Sequence, residues 1–192
     1  MDEMMMLLVP EDIAAEVLLR HGQQNHIAYM AFPGTHIMGL FGTKTKGTEH
    51  GRFALRERTD TQTEDLLKQA VDSMRPVICR LSDVTGIPDV IPIYIVSNEE
   101  NYYGASAIFH PAVQEKLKEL FPDGYWLIPS SRHEFLAVPK YDDPQLLQGL
   151  TELNADINKN VLNSDDFLAY GIMELKNGTL VPAKLPEYKI WL

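Results

Sequence analysis

Tyr125-Trp126-Leu127-Ile128-Pro129-Ser130-Ser131-Arg132-His133-Glu134-Phe135-Leu136-Ala137-Val138 is a pair of apolar runs around a polar turn. Each run is too short for a helix and rich in strand-forming side chains. Tyr125–Ile128 and Glu134–Val138 therefore read as the two arms of a β-hairpin, with Pro129, Ser130, Ser131 and Arg132 in the loop. A hairpin makes antiparallel neighbours, which sets this chain apart from folds built on single strands and crossover helices.

The same grammar extends outward. Ile91–Val96 and Tyr103–Phe109 read as a second strand pair, joined through Asn98-Glu99-Glu100-Asn101. His110-Pro111 opens a helix with Val113, Leu117 and Leu120 on one face, closed by Pro122-Asp123-Gly124. Asp143-Pro144 opens another, whose stripe is Leu146, Leu147, Leu150, Leu153, Ile157 and Val161. Phe167–Leu175 and Thr179–Val181 flank Asn177-Gly178, a dipeptide suited to a turn with two positive φ angles.

Upstream, Pro10-Glu11-Asp12 starts a helix carrying Ile13, Val17 and Leu18, ended by Gly22. His26–Phe32 and His36–Phe41 are strand-like around Pro33-Gly34, Gly42–Gly51 is loop-like, and Phe53 and Leu55 share a strand face. Thr61-Gln62-Thr63-Glu64 matches a capping box before Leu66, Leu67, Ala70, Val71 and Met74, and Pro76 stops that helix ahead of a strand through Cys79 and a loop with Gly86 and Pro88. Strand pairs alternating with helices give an α+β fold: a largely antiparallel mixed sheet with helices packed mainly on one face. The 192 residues carry no repeat or linker and are expected to form a single domain.

Composition narrows function by exclusion. The net charge of −10 disfavours nucleic acid and anionic membranes as partners. Met1-Asp2-Glu3 lacks the positive start of a secretory signal, and no stretch reaches the ~18 apolar residues of a membrane span. Cys79 is the lone cysteine, so no internal disulfide forms; a cytoplasmic protein with a buried, inert thiol is expected.

Segments Tyr94-Ile95-Val96-Ser97-Asn98, Tyr103-Gly104-Ala105-Ser106-Ala107-Ile108-Phe109, Ile128-Pro129-Ser130-Ser131-Arg132-His133-Glu134 and Val138-Pro139 resemble an uncharacterised bacterial family, a domain of unknown function common in gut-associated bacteria and their mobile elements. More remotely, the order of elements is similar to the YtpQ-like family, also uncharacterised. The resemblance covers residues 63–183, leaving 1–60 as a diverged N-terminal part. It implies a fold type and carries no catalytic residues, cofactor or activity.

Three constellations bear on chemistry. Ser130, Ser131, His133 and Glu134 hold the residue types of a serine hydrolase. Consecutive strand residues point to opposite faces, however, so Glu134 cannot orient His133, and the carboxylate would have to come from afar, from Asp165 or Asp166. No glycine-framed nucleophile elbow is present. His21, His26, His36, His50, His110 and His133 lack metal-ligand spacing, so no metal or other cofactor is expected. The basic Gly42–Arg58 stretch, with Lys44, Lys46, Arg52, Arg56 and Arg58, matches no phosphate-loop pattern, although it could serve a small molecule or nucleotide.

Tyr102, Tyr103, Tyr125 and Trp126 could form an aromatic surface for a partner but read first as half-buried sheet aromatics, and Ile190-Trp191-Leu192 reads as an apolar end that docks on the body or on another chain. The reading that remains is a non-catalytic interaction module. Its contact surface is the two loop tips, with Asn98, Tyr103, Ser130, Ser131, Arg132 and His133 as binding residues and another protein as partner.

Overall fold

The computed structural model describes residues 3–20, 27–44, 53–57, 62–88, 90–156, 158–159 and 163–184. Two antiparallel sheets organise them. The first is built on β3 (Ile37–Lys44), which pairs on one side with β1 (Glu3–Pro10) and on the other with β2 (Tyr29–Phe32), while β4 (Phe53–Leu55) joins its C-terminal end. The second has the order β10-β9-β7-β8-β6-β5, using β5 (Pro76–Arg80), β6 (Tyr94–Asn98), β7 (Tyr125–Ser131), β8 (Glu134–Pro139), β9 (Met173–Lys176) and β10 (Thr179–Pro182).

The expected hairpin is observed as β7 and β8, with Leu127 opposite Ala137, and with a register irregularity between Pro129 and Ser131. Its arms alternate in destination. Leu127, Phe135 and Ala137 enter the main hydrophobic cluster, whereas Trp126, Ile128, Leu136 and Val138 enter a second cluster on the opposite face. Both faces of the sheet must therefore be covered. On one face lie α2 (Thr63–Asp72), a 3-10 helix (Gly104–Phe109), α4 (Pro111–Leu120) and the first sheet, which contributes Met6, Leu8, Phe32 and Phe41. On the other lies α5 (Pro144–Asp156), through Leu147 and Leu150. The first sheet is likewise double-sided: Leu7, Val9 and Leu40 pack beneath α1 (Glu11–Arg20) around Ala14. The α+β class holds: most of the helices against the larger sheet lie on one face, and α5 covers the other. Among the described residues every strand pair is antiparallel, and there are two sheets where one was expected.

Local departures have local causes. Tyr103–Phe109 is not a strand; Gly104–Phe109 coils into the buried 3-10 helix, and Phe109 stacks on Phe32 at 5.3 Å. An apolar run of that length fits either conformation on periodicity alone, and the closeness of the chain at Gly104 decides. β1 is an unforeseen strand. Ile13 is exposed at 42%, so the buried stripe of α1 is Ala14 and Leu18, while Gly22 lies outside the described residues. The loop-like segment from Gly42 still pairs as strand through Lys44. Gln62, with no side-chain cap bond, occupies the N-cap of α2, one residue later than the expected box, whose Thr61 lies outside the described residues. Leu81–Thr85 forms a short helix, α3, ended by Gly86 at φ 69°. Cys79 is half-buried; burial first, then the charges of Glu134 and Asp83, push its thiol up and keep it protonated. Ile157, Val161 and Ile190-Trp191-Leu192 lie outside the described residues, and Leu153 is 38% exposed.

The Asn177-Gly178 turn is as expected, with φ of 50° and 76°. Beside it Glu174 is buried between Lys176 at 2.7 Å and Lys140 at 3.1 Å. Burial pushes its carboxyl up, and the two lysine hydrogen bonds outweigh this and hold it below the ordinary range. Leu127, with no exposed surface, sits where the sheet meets the main cluster. Leu127→Ala is expected to cost about 2–5 kcal/mol of stability in a denaturant titration, while Leu19→Ala, at a site 68% exposed, stays within about 0.5 kcal/mol.

Candidate functional site

The end of β6 begins one wall of the site. Asn98 terminates the strand and clamps the following turn with its amide: Nδ2 donates to the Tyr102 carbonyl at 2.9 Å, and Oδ1 accepts the Tyr102 N–H at 3.2 Å. The turn needs left-handed backbone at Asn101 and Tyr103, both at φ 50°. For a residue as bulky as tyrosine that conformation is strained and must be held by its surroundings. Position 104 is a glycine for a steric reason. A Cβ at Gly104 would lie 2.4 Å from Ser97 Oγ, 2.6 Å from the Asn98 nitrogen and 2.8 Å from the His133 carbonyl oxygen. Its absence lets the 3-10 helix approach β6 while Ser97 Oγ donates to the His133 carbonyl at 2.8 Å.

The β7–β8 turn forms the second wall. Ser131 Oγ accepts the His133 N–H at 3.0 Å, and Ser130 Oγ donates to Glu134 Oε1 at 3.0 Å. Both serines thus stabilise the turn, as serines in tight turns often do. The third wall is the 3-10 turn Ser164–Asp166, whose Asp166 carbonyl accepts the Arg132 N–H at 2.9 Å.

His133 joins all three walls. Its Nδ1 accepts the Tyr103 N–H at 2.9 Å, and its Nε2 lies 2.9 Å from Asp166 Oδ1. Since Nδ1 accepts an N–H, this network places the ring proton on Nε2, facing the carboxylate. The hydrogen bond with His133 is the leading cause that holds Asp166 below the usual carboxylate range; burial opposes it, and the charges of His133 and Arg132 and a bond from Asn163 assist. Around the imidazole, Tyr102 stacks at 5.5 Å and Tyr103 tilts at 5.4 Å, the two tyrosines being 4.3 Å apart. Arg132 lies 5.3 Å over the Tyr103 ring and 3.7 Å from Asp166 Oδ1. Burial raises the Tyr102 phenol first, and a hydrogen bond with Tyr103 raises it further.

The structure therefore gathers Asn98, Tyr103, Arg132 and His133 into one corner and sets Ser130 and Ser131 behind it. A carboxylate from a distant segment does grip His133, and it is Asp166; Asp165 is exposed. His133 sits in the turn and not in a strand, and Glu134 engages Ser130 instead. With both ring nitrogens engaged, His133 keeps no lone pair to take a proton from Ser130 or Ser131 in this arrangement. Sequence reasoning missed Ser97 and the stacking role of Tyr102; the signal lay in Tyr102-Tyr103-Gly104, where a glycine succeeds two tyrosines.

Among the described residues no group of three or more His, Cys, Asp or Glu is placed to hold a metal; His21, His26 and His50 lie outside them. Of the basic stretch, Lys46, Arg52 and Arg58 lie outside the described residues, and Lys44 is ion-paired with Glu100. No helix among the described residues is long and apolar enough to cross a membrane.

The model of a Family of unknown function (DUF5688) matches residues 48–173, and the chain belongs to that family. No curated protein and no solved structure matches the chain.

Asp166 supplies a test by linkage. Its folded-state pKa lies below the unfolded value, so its contribution to stability is complete above the unfolded range and lost as pH falls through the folded one. Asp166→Asn is expected to lower the denaturation midpoint at neutral pH, and the gap to the native protein should close on acidification below about pH 4; a gap independent of pH would contradict the assignment.

Proposed function

We propose that this family member is a non-catalytic recognition module that binds another protein through the corner formed by Tyr102, Tyr103, Arg132 and His133. The carrying observation is that His133 is tied at both ring nitrogens, to the Tyr103 N–H and to Asp166. That arrangement supports fixing a surface and leaves no free base. The surface so fixed is rich in tyrosine and arginine, the side chains that dominate binding energy at protein interfaces. Clamping by Asn98, Ser97 and Asp166 means little ordering is left to lose on association.

A single domain is favoured by one hydrophobic cluster that includes residues from both sheets. The lone Cys79 suits a reducing compartment, the cytoplasm. The net charge of −10 favours a neutral or basic protein over nucleic acid. Affinity capture with the full chain from a native lysate should recover one stoichiometric partner, and Tyr102→Ala and Arg132→Ala should each weaken its binding at least tenfold. Recovery of the bare protein in repeated captures, or a partner indifferent to both substitutions, would remove the proposal.

A second reading rests on a cleft of 470 Å³ between the sheets, lined by Met4, Lys44, Met74, Arg75, Glu99 and Glu100. Lys44, one residue of the basic Gly42–Arg58 stretch, lines it, and the volume suits a small molecule or nucleotide. It stands second because an anion would have to displace existing pairs, Lys44 with Glu100 and Arg75 with Glu99. If it is right, a nucleotide panel raises the melting temperature of the native chain and not of Lys44→Ala. A flat response across the panel retires it.

A further inference from the structure

The peptide between Tyr102 and Tyr103 is held at both ends. Its carbonyl accepts from Asn98 Nδ2 at 2.9 Å, and its N–H donates to His133 Nδ1 at 2.9 Å. Tyr103 sits at φ 50° and ψ 33°, left-handed backbone that an aromatic residue leaves unless it is held there. One of these restraints is an imidazole nitrogen, an acceptor that a change of pH can remove.

A second proton has one place to go on this ring. Nε2 already carries a proton toward Asp166 Oδ1 at 2.9 Å, so the next must land on Nδ1. There it meets the Tyr103 N–H: two donors face each other where a donor faced an acceptor, and the bond is lost. The groups around the ring pull in both directions. Asp166, from the Ser164–Asp166 turn, is held below the usual carboxylate range, so it stays charged and favours an imidazolium beside it. Arg132, from the β7–β8 turn, has its guanidinium 3.7 Å from the same carboxylate oxygen and opposes a further cation. From the third wall, Tyr102 stacks on the imidazole with a phenol that burial pushes up, and Tyr103 tilts its ring against it. Glu134, next along the chain, is turned to Ser130.

The rest of the turn does not depend on Nδ1. Ser97 Oγ holds the His133 carbonyl, Ser131 Oγ accepts the His133 N–H, and the Asp166 carbonyl accepts the Arg132 N–H. The β7–β8 side therefore keeps its shape, and the loss falls on Tyr103.

We propose that the corner is a pH-gated surface, assembled while His133 is neutral and opened when Nδ1 takes a proton. Opening frees Tyr103 from its left-handed backbone and separates its ring from Arg132, 5.3 Å away, and from Tyr102 at 4.3 Å. The aromatic and cationic contacts that define the surface come apart together. The consequence for a bound partner rests on the recognition reading above; the structural step does not.

Nitrogen-15 NMR of the full chain tests this. Between about pH 8 and about pH 5, where a histidine ordinarily changes charge, the ring nitrogens of His133 should show a proton on Nε2 first and then on both. With the same midpoint the Tyr103 amide should lose hydrogen-exchange protection several-fold, after allowance for the pH dependence of exchange itself. His133→Asn sets an amide oxygen near the place of Nδ1, an acceptor that takes no proton, and should leave the Tyr103 amide indifferent to pH. An imidazole that charges while the Tyr103 amide stays protected overturns the proposal, as does one that stays neutral until the chain unfolds in acid. So does a Tyr103 amide that still opens on acidification in His133→Asn. No partner enters this titration. A chain that captures nothing would still show the gate, and a rigid Tyr103 amide would remove the gate while leaving the recognition reading intact.

Discussion

The central hairpin of the larger sheet is apolar on both sides, and that single property dictates the layers around it. Alternating residues of β7 and β8 send one set toward Phe32, Phe41 and the 3-10 helix, and the other toward Leu147 and Leu150 of α5. A sheet wet on one face would need only one cover. This one needs two, and the cover on one side is a second sheet that must itself be shielded by α1. The order of layers follows from the need to remove apolar surface from water twice over.

Where the two sheets and the 3-10 helix converge, packing gives way to hydrogen bonding. Three turns meet at His133, which accepts from one and faces a carboxylate of another. The same residue types in a looser arrangement would suggest acid–base chemistry. Here the backbone N–H of Tyr103 occupies the nitrogen that such chemistry would use. The strained backbone of Tyr103 and the closeness permitted by Gly104 belong to the same arrangement, because moving either residue would pull that N–H away from the ring.

What could be read from the residues alone was whatever local chemistry fixes. Asn177-Gly178 demanded its turn, His110-Pro111 began its helix, and the short apolar run Phe135 to Val138 beside a turn marked a strand. β1 escaped notice because a run of methionines and leucines has weak strand preference and becomes a strand by pairing with β3, some thirty residues away. The 3-10 helix escaped because Ala105 to Phe109, small or apolar throughout, has no period that distinguishes it. Of the site, the two loops were legible as sequence features. Their meeting was not, since the bond from His133 to Asp166 spans 33 residues, although Asp166 was one of the two distant acids that the residue types singled out.

The larger sheet ends in β5 on one side and β10 on the other, strands of five and four residues. Each carries a proline at a terminus, Pro76 in β5 and Pro182 in β10, and proline brings no amide hydrogen to a ladder. Short margins interrupted in this way are poor templates for a foreign strand, so the sheet resists growth by addition. A molecule that meets this sheet at its margins must then read side chains more than shared backbone.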